Sequence, residues 1–498
     1  MLMEDMIRKF DLSLNDPKTY RDIFRSGSED AYGQIDKVES IRFKAIAGDT
    51  EAEAFMIEKL CMFLYAYSGK DEYSLIKFDE LSNNPPEIRL MLLLETVGLH
   101  ELISEYCRGY AFTEEATDKA FCENIENIKR RFGNLKERIM LTAKILFANV
   151  YGLGIFDFLR GNHINEIGAI RKDHIYIITG GRKVWIEAAN IGSNEAMQNI
   201  LKKASLNSNS PFDKANPISI STRKNTDRVS IAGYDVTPDD NEFYLNIRIF
   251  NLLNTTLEEL RDVYHTIDDD ILGFLEINQK GKGSFFVTGA DMNVGKSTML
   301  LAMLNKTPGH FGIGIIDPQN EMRMGAKYPE KNTITLISNE LKTTDECFEY
   351  LLKTSRDIIA VSEITNPDEV TQLINGALRL NCGICATMHS LDPYEVLPNL
   401  RNMMMRTDMY TNEKTAEEDV TRGIDLIIHL KRIRERIVVD SIDEITCTGL
   451  RRLFEYNGSG WAVRAAPSER YFSKISDHLD DSDHLTYERI FGKGYDHD

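Results

Sequence analysis

The spacing of apolar residues changes twice along the chain, and each change marks a different kind of structure. Up to about residue 135 the sequence is polar and its apolar positions recur at helical spacing, clearly so over residues 51–64. Asn83-Asn84-Pro85-Pro86 interrupts the pattern, and further helical runs cover residues 87–106 and 117–151. Short strands then take over. Residues 175–178 and 183–186 flank a Gly180-Gly181 hairpin turn, a loop follows at 207–211, and strands return at 217–221, 228–231 and 243–248. Residues 255–275 read as a helical connector, opened by a capping box in Thr256-Leu257-Glu258-Glu259.

The second change comes at Gly281. From there apolar strands at 285–288, 313–317, 357–363 and 383–388 alternate with helical segments. Continuous apolar strands separated by helices predict a mostly parallel sheet covered on both faces, with ligands at the C-terminal strand ends. The expected architecture is α/β, with a helical N-terminal extension over 1–135, an α+β domain over 136–265, a linker at 266–280 and an α/β domain with a parallel sheet over 281–498.

A chain of 498 residues has room for two to four domains and a sizeable core, and 42% hydrophobic with 28% charged residues is ordinary for globular protein. The net charge of −19 argues against a sequence-independent binder of nucleic-acid backbone. No apolar run approaches the ~18 residues of a membrane span, and the acidic start Met1-Leu2-Met3-Glu4-Asp5-Met6 has no leader-like apolar core. Seven cysteines, an odd number, read as reduced thiols of a cytoplasmic protein. Cys382 and Cys385 form a C-x-x-C inside an apolar run with no second pair, which favours packing over zinc or redox work. The acidic stretch from Asp477 reads as a solvated tail.

The densest chemistry lies at Phe285-Phe286-Val287-Thr288-Gly289-Ala290-Asp291-Met292-Asn293-Val294-Gly295-Lys296-Ser297-Thr298. An apolar strand enters a turn, Gly-Lys-Ser-Thr follows, and a helical pattern leaves it, which is the layout of a phosphate-binding P-loop. Backbone N–H groups at a helix N-terminus attract an anion. Gly295 permits close approach, Lys296 reaches the β- and γ-phosphates, and the Ser297 hydroxyl suits Mg²⁺. Counting back from Gly295, the position of the first P-loop glycine is Ala290, and Gly289 stands one residue early.

Three later strand ends carry candidate groups. The strand ending Val361-Ser362-Glu363 offers a carboxylate to hold Mg²⁺ through water or to polarise an attacking water. Ile316-Asp317-Pro318-Gln319-Asn320-Glu321 ends a second strand in acids, either a site or an Asp-Pro turn. Thr387-Met388-His389-Ser390 ends a third in a histidine, which at such a position is either structural or a γ-phosphate sensor.

In this order the segments resemble the secretion-traffic ATPases, which power type II secretion, type IV pilus and Tad (CpaF-like) assembly, and conjugative type IV secretion. The resemblance covers roughly residues 136–457. Residues 151–159 followed by Ile164-Asn165-Glu166-Ile167 resemble the family's opening motif. Asp227-Arg228-Val229 and Asn246-Ile247-Arg248 resemble the places where its N-terminal domain supplies arginines to the nucleotide. Residues 317–321 resemble its Asp box with Glu321 at the catalytic glutamate, Glu363 its Walker B glutamate, and 387–390 its His box; 423–430, 436–438 and 442–445 resemble its closing strands. The family's P-loop usually reads Gly-Gly-Thr-Gly-Ser-Gly-Lys-Thr, and here Gly295-Lys296-Ser297 keeps its end. Ser362 replaces a glycine and Thr365 an arginine. The paired-cysteine zinc module of the type II branch is absent, which points to the CpaF-like and conjugative branch.

The resemblance implies a RecA-like P-loop NTPase domain behind the α+β domain and helical extension. It implies ATP with Mg²⁺ at Ala290, Asn293, Val294, Gly295, Lys296, Ser297 and Thr298, with Arg228 and Arg248 closing over the nucleotide. Glu321, Glu363, Lys296 and His389 are then catalytic, and Ser297 and Glu363 serve the metal. It further implies a homo-oligomer, as a hexameric ring, working with inner-membrane platform proteins at the cytoplasmic face and without direct nucleic-acid contact. Two alternatives remain open: a regulatory or structural paralogue with weak or no hydrolysis, and a GTPase, for which no downstream Asn-Lys-x-Asp segment is present. A DNA-repair or ABC-type ATPase is disfavoured by the missing signature segments and the charge.

Overall fold

A computed structural model describes residues 3–24, 31–67, 76–161, 163–180, 182–208, 211–239, 242–249, 255–291, 293–318, 320–338, 342–379, 382–434 and 436–492. Met1, Leu2, Gly181, Asn209, Ser210, Met292 and Gln319 of the segments above lie outside the described residues. The chain divides into two compact units, Met1–Asn251 and Leu252–Asp498.

In the first unit the helices Met3–Asn15, Pro17–Phe24, Ala31–Ile46 and Thr50–Tyr67 surround a core in which the Phe10 and Phe63 rings meet edge to face at 5.5 Å. The expected helix over 117–151 is two helices, Glu114–Arg131 and Leu135–Val150. The break has a local cause. The first ends at Phe132, whose N–H donates to the Ile128 carbonyl, and the Asn134 side chain accepts from the Glu137 N–H to start the second. The helix Leu135–Val150 serves two cores. Ala143, Leu146 and Phe147 join the helical cluster, while Leu141 and Ile145 join the core under a sheet.

That sheet contains, among the described residues, β1 (Ala111–Phe112), β2 (Ile164–Arg171), β3 (His174–Thr179), β4 (Arg182–Ile186), β5 (Ile218–Thr222), β6 (Arg228–Ala232) and β7 (Tyr244–Arg248), in the order β1-β4-β3-β2-β7-β6-β5. Apart from the parallel β1–β4 pair it is antiparallel. The β3–β4 hairpin pairs Thr179 with Arg182 around Gly180, whose φ of +57° suits a tight two-residue turn.

The second unit holds β8 (Phe285–Gly289), β9 (Ile313–Ile316), β10 (Thr333–Leu336), β11 (Ile358–Val361), β12 (Gly383–His389), β13 (Leu426–Ile433), β14 (Arg436–Thr446), β15 (Gly449–Tyr456) and β16 (Trp461–Val463). Their order is β10-β9-β11-β12-β8-β13-β14-β15-β16. The strands from β10 to β13 are parallel, and β14 to β16 add an antiparallel edge. Strands β8, β9 and β11 are buried at every residue, as strands covered on both faces must be.

Two expectations need correction. Residues 266–280 are not a linker: Asp268 caps the helix Asp269–Lys280, and its Phe274, Leu275 and Ile277 are buried in the second unit's core. The stretch from Asp477 is solvated at Asp477, Asp480 and Asp481, as read, but it is not a tail. It leads into the helix Asp481–Phe491, whose Ile490 and Phe491 are buried, and Asp483 forms a 2.5 Å ion pair with Lys280. The capping box at Thr256 and Glu259 is formed as read. Cys382 and Cys385 are buried; burial pushes the Cys382 thiol up to about 11 and that of Cys385 higher still, so both favour the protonated form. No described helix is long and apolar enough to cross a membrane.

Candidate functional site: a phosphate loop between two strands

The second unit's site begins with β8, held at its start by Asp425. That buried carboxylate accepts from the Ser284 N–H at 2.8 Å and from Lys474 at 2.6 Å. At its other end β8 runs between β12 and β13. Gly289 pairs with His389 and Thr288 with His429. The chain then turns and enters the helix Lys296–Asn305 at Gly295, whose φ is +85°. The first-turn N–H groups of such a helix have no intrahelical partner and sit at the positive end of its dipole. Such N–H groups are chemically suited to an anion.

The unusual loop sequence has physical reasons. A β-carbon on Gly289 would lie 2.7 Å from the Val294 side chain and 2.9 Å from the Leu430 carbonyl oxygen. Gly289 is therefore a packing glycine, which explains why it stands outside the P-loop spacing. Asn293 takes the left-handed conformation, φ +59°, at the fourth position of the family pattern, a glycine. Asparagine is among the few side chains that tolerate it. Ala290 is exposed, Val294 is buried, and Ser297 and Thr298 are half-buried in the first helical turn.

Three of the expected residues meet. Lys296, only 7% exposed, brings its ammonium to 3.1 Å from His389 Nε2, and the same ring nitrogen lies 3.3 Å from Glu363 Oε1. The strand ends are clamped together: Thr387 Oγ1 donates to the Ser362 carbonyl at 2.6 Å, and the Ile364 N–H donates to the Thr387 carbonyl at 2.8 Å. Thr365, where the family has arginine, donates its N–H and hydroxyl to buried Glu369.

Glu321 follows a turn at the end of β9, separated from β12 by β11. Asp317 is fully buried before it. One carboxylate oxygen accepts from the Met322 N–H at 2.7 Å and the other has no hydrogen-bond partner. Arg228 and Arg248 belong to the first unit. They are directly opposed on β6 and β7, with Glu166 of β2 opposite Arg248 on the far side. Facing residues of an antiparallel pair project to the same face about 5 Å apart, so the two arginines that the sequence singled out separately form one cationic pair.

Two neighbours of the loop escaped the sequence reading. His429 is buried and its Nδ1 lies 2.9 Å from Thr288 Oγ1; burial holds its imidazole below the ordinary value. Arg432 donates to the Asn293 carbonyl at 2.8 Å. Both lie on β13, whose buried run Leu426–Leu430 is interrupted by His429 and ends in Lys431-Arg432, and those polar residues in an apolar strand were the available signal.

A phosphate loop leaving an inner strand of a parallel sheet, with a carboxylate and a histidine on neighbouring strand ends, defines a RecA-like P-loop domain, here behind a mixed α/β first unit. No family model and no curated protein matches the sequence. Among solved structures the chain is similar to the VirB11 ATPase of the Brucella suis type IV secretion system, at 13% identity and a TM-score of 0.31, covering 62% of this chain and 92% of that one. It is similar to the Legionella pneumophila ATPase DotB, at 14% identity and a TM-score of 0.44, covering 68% and 86%. It is also similar to the pilus retraction motor PilT with bound ADP, at 12% identity and a TM-score of 0.41, covering 67% and 88%. These are an ATPase of a type IV secretion system, a further ATPase and a pilus motor, the kind of protein that the sequence resembles.

Proposed function

We propose that the protein is an ATP-hydrolysing motor of a type IV secretion, conjugation or Tad-type pilus assembly machine. The observation that carries this reading is the convergence of Lys296, His389 and Glu363 beside the loop at 290–298. Lysine at a helix N-terminus is suited to the β- and γ-phosphates of ATP, with the N–H groups of residues 293–298 around them and Ala290 at the rim. The donor set fits Mg²⁺, a hard cation that takes hydroxyl and carboxylate oxygens and keeps several waters. Ser297 would hold it directly and Glu363 through water. When bound, the metal would neutralise charge developing on the phosphates.

The remaining steps belong to the chain's own side chains. Glu363 or Glu321 orients a water for in-line attack on the γ-phosphorus and takes up its proton. His389 exchanges its Lys296 contact for the γ-phosphate and so reports its presence. Arg228 and Arg248 close over the nucleotide, a role supported by their direct opposition, since two guanidinium forks match a phosphate group. Coupling between a site of this kind and motion of an N-terminal domain is the means by which hydrolysis would do work. The working form is a homo-oligomer, a hexameric ring, at the cytoplasmic face of the membrane against inner-membrane platform proteins.

The test is Lys296→Ala. Steady-state phosphate release is expected to fall to background, because phosphate positioning and charge stabilisation supply most of the barrier reduction. Normal turnover by that variant would overturn the site assignment. The departures at Ala290 and Asn293 favour a second reading, a ring subunit that binds nucleotide weakly and does not hydrolyse it. Calorimetric titration decides: no binding at millimolar ATP supports that reading, and GTP displacing ATP would indicate a GTPase.

A further inference from the structure

The β13–β14 hairpin runs beside the loop at 290–298. The Leu430 carbonyl blocks the space beside Gly289, and the Ile437 side chain lies 3.8 Å from where a β-carbon on Gly295 would stand. A direct contact between hairpin and loop is polar. The Arg432 guanidinium donates to the Asn293 carbonyl at 2.8 Å from a half-buried position on β13. Asn293 is the loop residue in the left-handed conformation that side chains other than glycine rarely adopt. A charge-assisted hydrogen bond is stronger and more directional than a neutral one, so it is suited to holding such a residue in place.

The consequence follows from peptide geometry. In a planar trans peptide the carbonyl and the next N–H point in opposite directions. Fixing the Asn293 carbonyl on Arg432 turns the Val294 N–H away from the hairpin. We infer that Arg432 is a positioning residue for nucleotide: its grip on the Asn293 carbonyl orients the Val294 N–H toward the phosphates and does the shaping that the missing glycine at 293 would leave to a freely turning backbone. This rests on the reading of 290–298 as a nucleotide site. Arg432 acts on the loop and takes no part in bond making.

The test uses the full chain and Mg²⁺-ATP. ATP affinity is measured by calorimetry, KM and kcat by phosphate release, and nucleotide-free melting by circular dichroism, for the parent, Arg432→Ala and Arg432→Lys. Loss of one charge-assisted hydrogen bond is expected to weaken ATP binding about tenfold or more in Arg432→Ala. KM should rise in step while kcat stays within about threefold, since the contact serves ground state and transition state alike. Arg432→Lys, which keeps a charged donor of similar reach, is expected to recover most of the affinity. A purely structural arginine would lower the melting temperature without this KM shift. A folded Arg432→Ala with the parent's ATP affinity overturns the inference, and so does an unchanged KM accompanied by a fall in kcat. Should Arg432→Ala not fold, Arg432→Met keeps the packing of the stem, removes the donors and is judged by the same criterion. A parent protein that binds no ATP at millimolar concentration overturns the nucleotide reading itself, which is a distinct result.

Discussion

The Lys296 ammonium lies 3.1 Å from His389 Nε2, so the phosphate loop and the end of β12 are joined by a side-chain contact as well as by strand pairing. Lysine only donates, and a phosphate would compete for the same donors. Binding of a γ-phosphate would therefore release His389, which makes the imidazole the natural reporter of the nucleotide state. His389→Ala removes that reporter and leaves Lys296 available. ATP affinity is expected to stay within about threefold while kcat falls about 10²-fold, the usual size of losing one transition-state donor. Calorimetry and phosphate release measure the two. Unchanged kcat would rule out the sensor role.

In the proposed mechanism Glu363 and Glu321 are alternatives for one task, and their positions separate them. Glu363 lies 3.3 Å from His389, whereas Glu321 stands at the end of β9 beyond β11. Replacement of the general base by its amide is expected to cost about 10²–10⁴-fold in kcat with nucleotide binding retained. Glu363→Gln and Glu321→Gln, compared in one phosphate-release assay, identify the base as the more damaging of the two. Equal, small effects from both would mean that neither carboxylate activates the water.

What could be read from the sequence followed how locally each feature is encoded. β8, β9 and β11 are continuous apolar runs because both faces of a parallel sheet are covered, so each strand announces itself. The Gly295-Lys296 turn sits between such a strand and its helix and was legible for the same reason. Arg228 and Arg248 were found as separate positions, and only strand pairing makes them a pair. Arg432 and Asn293 are 139 residues apart, and nothing in either segment names the other. The reason for Gly289 lies in the Leu430 carbonyl, equally remote in sequence. The apolar run of the helix Asp269–Lys280 is visible in the sequence, but what covers it is not: the burial of Phe274 and Phe491 against each other, ring centroids 5.5 Å apart, is a tertiary fact.

Gly289→Ala tests that remote packing. The added methyl meets a backbone carbonyl that cannot rotate away, along with the Val294 side chain. Overpacking of this kind costs about 1–3 kcal/mol, and the strain falls on the loop that leads to Lys296. Lower stability in urea together with weaker ATP binding is expected. A variant as stable as the parent would mean that β13 can shift to make room.

A cluster of charges in the first unit makes stability depend on pH. Glu53 of the helix Thr50–Tyr67 lies 4.0 Å from the buried Arg223, and Arg160 pairs with buried Asp227 at 2.7 Å. Asp157 accepts from the Leu153 N–H, and Lys203 donates to the carbonyls of Asn149 and Val150. Burial, followed by the negative charge of Asp157, pushes the Glu53 carboxyl up from its ordinary 4.5 to about 7. Burial pulls Lys203 down to about 8, and Asp157 and Asp227 are shifted upward in the same sense as Glu53. A carboxyl whose folded-state pKa is raised binds its proton more tightly when folded. Its contribution is complete below pH 4.5 and is lost as pH rises to 7. Lys203 acts in another window, since the charged form it disfavours is given up only as pH climbs past 8. Glu53→Gln keeps the shape and removes the titration. It is expected to be more stable than the parent at pH 8 by about 1–2 kcal/mol, with the gap closing at pH 5, where the parent's Glu53 is itself protonated. Urea unfolding of both proteins at the two pH values measures this, and a gap that is independent of pH, or reversed, would show that Glu53 is ionised in the folded protein throughout.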